Sequence, residues 1–109
     1  MTALRSDDRV LFLAIPPDTE LANIARILMR GVVVALGTET EVEEGRRSMA
    51  DWDNVLFLSA APNRIPWRSA YFTKIMVPPQ FEPILSTIAN ELHRLLAPGG
   101  EIVRMTVPA

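Results

Sequence analysis

The residues Glu91-Leu92-His93-Arg94-Leu95-Leu96-Ala97-Pro98-Gly99-Gly100-Glu101-Ile102-Val103 form the centre of the stretch Phe81 to Val107, whose reading decides the fold. Ile84, Leu85, Ile88, Leu92, Leu95 and Leu96 recur at three- and four-residue spacing, the signature of a helix over 81–96 with one buried face. Pro98 cannot continue that helix, and two glycines permit a tight reversal into a strand from Glu101 to Val107. A helix turning through Pro-Gly-Gly into a strand is an αβ unit of a layered α/β domain.

Upstream, the same alternation repeats. Val10 to Ile15 is a continuous apolar run closed by Pro16-Pro17, as expected of a strand covered on both faces. Asp18 and Thr19 offer N-cap oxygens to a helix with the stripe Leu21, Ile24, Ala25 and Leu28, and Gly31 is its expected C-cap. Val32 to Leu36 is a second buried strand, and Gly37 marks its exit. Thr38 or Thr40 caps a second helix running to about Met49, with glutamates in its first turn and Arg46-Arg47 in its last. Asn54 to Ser59 is a third strand and Tyr71 to Val77 a fourth, with a loop of two prolines, Asn63 and exposed arginines between them.

At 109 residues the chain has room for one domain, 1–109, with residues 1–8 expected as a flexible polar leader. The 49% apolar and 22% charged content is globular, and a net charge of −2 without basic clusters gives no nucleic-acid surface. With no cysteine there is neither a disulfide nor a thiolate nucleophile nor Cys-ligated zinc, which suits a cytoplasmic location. No apolar run approaches the roughly 20 residues that cross a bilayer, so no membrane role is expected.

In motif order the chain resembles the class I S-adenosylmethionine-dependent methyltransferases. Ile65 to Ile75 is similar to that family's "LPFPDGSFDxV" stretch, with Pro66, Phe72 and Ile75 in register. Glu91 to Gly100 is similar to its "ExxRVLKPGG", with Glu91, Arg94, Leu96, Pro98, Gly99 and Gly100 in register. The resemblance implies a small Rossmann-like three-layer α/β fold: a five-stranded, mainly parallel sheet of order 3-2-1-4-5. It also implies a cofactor site in the first half, and there the chain departs from the pattern. On the family's "VLDxGxGxG", Phe12 falls at the acidic position and Ala14, Pro16 and Asp18 at the glycines. Those glycines bring backbone close to a ligand, whereas Pro16 and Pro17 lack N–H groups and fix φ. The ribose-holding acid falls at Gly37, with Glu39 the nearest carboxylate, and the adenine-contacting Asp falls at Ala61.

If a ligand occupies the crevice, its expected walls are Ile15, Pro16, Gly37, Thr38, Ala60 and Ala61, at the ends of the first three strands. No catalytic residue and no metal ligand is assigned. His93, the only histidine, reads as a solvated helix residue, and Glu39, Glu41, Glu43 and Glu44 as charges complementing a helix dipole. Asp51 and Asp53 read as turn residues around a packed Trp52. The loop Ala60 to Ser69 is the most interesting surface: Asn63, Arg64, Trp67 and Arg68 suit an anionic or planar partner, or Trp67 simply covers the sheet.

The resulting expectation is a methyltransferase-like pseudoenzyme that has lost usual S-adenosylmethionine binding, carries no cofactor and serves as a binding or assembly module. The alternative is an active S-adenosylmethionine-dependent small-molecule enzyme with an atypical pocket; a third reading is a scaffold for a separate protein partner. The family's hairpin beyond the fifth strand is expected to be lacking, since Val107 is followed only by Pro108-Ala109. An open edge strand then predicts a homodimer with Met105 or Val107 near the axis.

Overall fold

The computed structural model describes residues 3–105. Strands β1 (Arg9–Phe12), β2 (Val32–Gly37), β3 (Val55–Ser59), β4 (Phe72–Val77) and β5 (Leu96–Arg104) form one sheet, every pairing parallel, in the order β3-β2-β1-β4-β5. Helices α1 (Asp18–Ile27), α2 (Glu39–Ser48) and α3 (Leu85–Leu95) complete the layers. Alternation along the strands divides the core in two. Val10, Phe12, Val33, Ala35, Val55 and Phe57 meet α1 and α2, while Leu11, Val34, Leu36, Ile75 and Val77 meet α3. The expected α/β fold and strand order are both present.

The helices start and stop for identifiable reasons. Thr38 caps α2 in a reciprocal box: its hydroxyl accepts the Glu41 N–H at 3.2 Å, and the Glu41 carboxylate accepts the Thr38 N–H at 2.8 Å. At α1 the expectation fails, because Pro17 holds the cap position without a side-chain bond and Asp18 is already helical. That helix also ends earlier, at Ile27, where the Asn54 amide donates to the orphan carbonyls of Ala25 and Leu28, each at 2.9 Å. Gly31 is therefore no helix cap. A Cβ there would lie 2.0 Å from the Asp8 carbonyl oxygen, so the residue is required by close backbone approach.

Three further expectations are corrected. The helix read over 81–96 begins as a 3-10 helix, Pro79–Ile84, because Pro83 cannot donate to a regular α-helical ladder; Ile84 is exposed rather than buried. Pro98-Gly99-Gly100 lies within β5 rather than before it. Phe72 pairs with Leu96 and Lys74 with Glu101, so β5 advances five residues while β4 advances two, and the excess is taken up as a bulge with Gly99 at φ 79°. Residues 3–8 are tied down where a leader was expected. Leu4 packs on the first core, and Asp8, 4% exposed, accepts the Arg5 N–H at 2.7 Å and the Thr73 hydroxyl at 2.8 Å. Val107 lies outside the described residues. Among those described, no helix is long and apolar enough to cross a membrane.

Candidate functional site: the crevice and the clamped crossover

Two places concentrate the chemistry-bearing residues. The first is the crevice at the C-terminal ends of β1 and β2, between the starts of α1 and α2. Pro16-Pro17 turns the chain out of the sheet, and Ile15 folds back over the end of β2. A Cβ on Gly37 would stand 2.7 Å from Ile15 Cδ1 and 3.2 Å from Glu41 Oε1, so the space that a side chain at 37 would use is filled. Beside this plug runs an open cleft of about 360 Å³, lined by Ile15, Asp18, Glu41, Glu44, Gly45 and Ser48. Its titratable groups are all carboxylates, and the Ser48 hydroxyl donates to Asp18 at 3.3 Å.

The structure gathers only part of the expected wall. Ile15 lines the cleft and contacts Gly37, and Thr38 sits at the rim with its hydroxyl engaged by the Glu41 N–H. Pro16 is half-buried on the turn. Ala60 packs instead with the α3-side core, and Ala61 closes a tight turn by bridging to Arg64. The carboxylates of α2 were legible as helix charges, but their convergence with Asp18 required the fold. Among the described residues no group of His, Asp and Glu could hold a metal ion, and His93 is exposed on α3.

The second place is the crossover from β3 to β4, residues 60–71, which passes over the sheet without a helix. Arg94 and Glu91 of α3 hold it. The Arg94 guanidinium donates to the Ile65 and Trp67 carbonyls, each at 2.9 Å, and to the Ser69 hydroxyl at 3.1 Å. It is paired with Glu91 at 2.7 Å, and Glu91 also accepts the Ile65 N–H at 2.7 Å. The Arg94 side chain, with the Ile65 N–H, holds the Glu91 carboxyl below its usual range, against a smaller opposing push from burial. In return the crossover caps α3: the Ala70 and Tyr71 N–H groups donate to the Arg94 and Leu95 carbonyls at 2.8 and 2.9 Å. Ile65 is thereby buried, and Trp67 stacks in a cluster with Tyr71 and Phe72, both at 5.6 Å between ring centroids. Trp67 thus covers the sheet, and Arg68 lies over the Tyr71 ring at 4.8 Å.

No family model matches the sequence, and no curated protein sequence matches it. Solved structures do match. A SAM dependent methyltransferase from Aquifex aeolicus superimposes with a TM-score of 0.76 over 88% of this chain, at 22% identity. The fibrillarin pre-rRNA processing protein of Methanococcus jannaschii gives 0.70 over 92%, at 19% identity. PKMT2 from Rickettsia typhi, in complex with AdoHcy, gives 0.75 over 92%, also at 19% identity. The fold is that of the S-adenosylmethionine-dependent methyltransferases. This chain spans 54%, 45% and 21% of those three proteins, about half their length or less.

Within the methyltransferase fold, the two stretches that carried the sequence resemblance acquire a physical meaning here. Glu91 and Arg94 are the clamp on the helix-free crossover, Phe72 anchors the aromatic cluster, and Pro98-Gly99-Gly100 is the bulge that re-registers β5. All are architectural. The motif residues that match hold the fold; of those that differ, Pro16, Asp18 and Gly37 lie at the crevice, whereas Phe12 is in the core and Ala61 closes a turn with Arg64.

Proposed function

We propose that this chain is a non-catalytic binding or assembly module on the methyltransferase fold, one that does not hold S-adenosylmethionine in the manner usual for that fold. The observation that carries the reading is the plug: Ile15 Cδ1 occupies the space above Gly37 at the β1–β2 fork. Two further features support it. Pro16 and Pro17 remove two N–H donors from the turn that would approach a ligand. At the end of β2 the Thr38 hydroxyl and one Glu41 oxygen are already engaged with each other's backbone N–H. Asp18, Glu41 and Glu44 give the adjoining cleft a negative lining, which suits the ammonium and sulfonium charges of S-adenosylmethionine and so favours the competing reading.

The competing reading, an active methyltransferase with an atypical pocket, draws on the cleft of about 360 Å³ and on the AdoHcy complex of PKMT2, a protein of the same fold. Calorimetric titration with S-adenosylmethionine and with AdoHcy separates the two. The expected result is no saturable heat up to about 1 mM ligand, equivalent to binding weaker than about −4 kcal/mol. A dissociation constant in the low micromolar range, about −8 kcal/mol, overturns the proposal in favour of the active enzyme.

A further inference from the structure

We infer that Arg9 and Arg68, gathered on the Tyr71 ring, form a binding site for the phosphate group of a small ligand. The site lies at the end of the sheet where β1 and β4 begin, opposite the crevice, so it does not depend on whether S-adenosylmethionine binds.

The chain is net acidic, and Lys74, Arg94 and Arg104 each face a carboxylate. Arg9 and Arg68 do not: among the described residues neither has a carboxylate within ion-pair distance. Asp8, next to Arg9 in the chain, directs its carboxylate to the Arg5 N–H and the Thr73 hydroxyl instead. The fold nevertheless brings the two guanidinium groups together. Arg9 stands 5.2 Å and Arg68 4.8 Å from the centroid of the same ring. Two like charges are thus held within about 10 Å, one Debye length at about 0.1 M salt, and repel each other. The ring attracts each cation through its face but offers no acceptor to their N–H groups. An anion within reach of both supplies the missing charge and the missing acceptors.

Both side chains are held ready for it. Nε of Arg9 donates to the Tyr71 carbonyl at 2.6 Å, which orients the guanidinium and leaves its terminal nitrogens without a carboxylate partner among the described residues. Arg68 is exposed, but the chain on either side of it is pinned: the Trp67 carbonyl and the Ser69 hydroxyl both accept from Arg94, at 2.9 and 3.1 Å. Tyr71 is itself wedged among aromatic rings, with Phe72 edge-on at 5.0 Å and Trp67 at 5.6 Å. Two cations anchored on one fixed platform lose less freedom when a ligand arrives than two loose side chains do.

The donor set selects phosphate. Each guanidinium is a planar fork that pairs with two oxygens, and two forks together match the three oxygens and the charge of about −1.5 to −2 of a phosphate monoester. A carboxylate, with a single charge and two oxygens, satisfies one fork and leaves the other unpaired.

The full chain, isotopically labelled, is titrated at constant ionic strength with inorganic phosphate, phenyl phosphate and acetate while the arginine Nε–H and backbone amide resonances are followed by NMR. Expected are saturable shifts of the Arg9 and Arg68 Nε–H signals with both phosphates, and a dissociation constant at least about tenfold weaker for acetate, the worth of one charge-assisted pair. Tighter saturation by phenyl phosphate than by inorganic phosphate assigns the site to a phosphorylated organic ligand; saturation no tighter assigns it to free phosphate. Arg68→Gln, at an exposed position, raises the phosphate dissociation constant at least about tenfold. Arg64→Gln, an exposed arginine of the same crossover, leaves it unchanged. Far-ultraviolet circular dichroism verifies that both variants fold, and the titration of the unsubstituted chain needs no variant. No saturable shift up to about 10 mM phosphate, equal affinity for acetate, binding indifferent to Arg68→Gln, or binding lost in Arg64→Gln each overturns the inference.

Discussion

Removing the Arg94 guanidinium tests whether a side-chain clamp replaces the helix missing from the β3–β4 crossover. Arg94→Ala deletes the donors to the Ile65 and Trp67 carbonyls and to the Ser69 hydroxyl, and leaves Glu91 facing only the Ile65 N–H. Hydrogen bonds from a charged donor contribute about 1.5–3 kcal/mol each where water is excluded. The Arg94 side chain is 36% exposed, so water recovers part of each bond. The two carbonyl bonds together are therefore assigned about 2–3 kcal/mol, with less than about 1 kcal/mol from the exposed ion pair. For a domain of this size that lowers the thermal midpoint by on the order of 10–20 °C. Urea unfolding followed by tryptophan fluorescence is the assay, since Trp67 sits on the clamped segment. Arg94→Lys keeps the charge but lacks the planar fork, so it recovers less than half of the loss. An Arg94→Ala midpoint within about 0.5 kcal/mol of the parent, the range of an unremarkable surface change, refutes the clamp. Full rescue by lysine refutes the reasoning about geometry while sparing the charge.

Two further outcomes are expected. Burial pushes the Asp8 carboxyl upward, but the Arg5 N–H, the Thr73 hydroxyl and the nearby Lys74 and Arg5 charges together hold it below its usual value. A depressed folded-state value stabilises the fold above the unfolded-state value of 3.8, and this contribution is lost as pH falls through the folded value. Asp8→Asn should therefore flatten the acid limb of stability below about pH 4 and destabilise the protein at neutral pH; an unchanged acid limb refutes it. Ala70 has φ 55°, a left-handed conformation that costs a residue with a Cβ about 1 kcal/mol. Ala70→Gly should accordingly be neutral to about 1 kcal/mol stabilising, contrary to the usual sign for this exchange, and a loss above about 1 kcal/mol in urea refutes it.

What the sequence disclosed follows from how local each signal is. The apolar run of β1, the valine-rich run of β2 and the Thr38–Glu41 box were legible because their determinants lie within a few neighbouring residues. The remainder depends on partners far along the chain. Asp8 reads as leader until Thr73, 65 residues away, turns out to bond it. Arg94 reads only as one position of a family-like stretch until the carbonyls of Ile65 and Trp67 give it a structural task. Pro98-Gly99-Gly100 reads as a turn because proline and glycine allow one. Only pairing with β4 reveals that the same residues are absorbed into a strand.

The crevice carries the same lesson further. Counted letter by letter, Ile15 is the last apolar residue of a strand and an expected crevice wall, and Gly37 is a missing acid. In the fold they are one feature, because the side chain absent at 37 is the space that Ile15 Cδ1 takes. A Cβ at 37 requires the end of the Ile15 side chain to move aside, which a flexible terminal methyl beside an open cleft can do at low cost. An acid at 37 would be useful to a ligand only if the plug were also removed. The coupling joins only Ile15 and Gly37: Phe12 is a core residue and Ala61 closes a turn with Arg64, so those two departures have other surroundings. The sheet, crossover and bulge are required by packing whatever occupies the crevice.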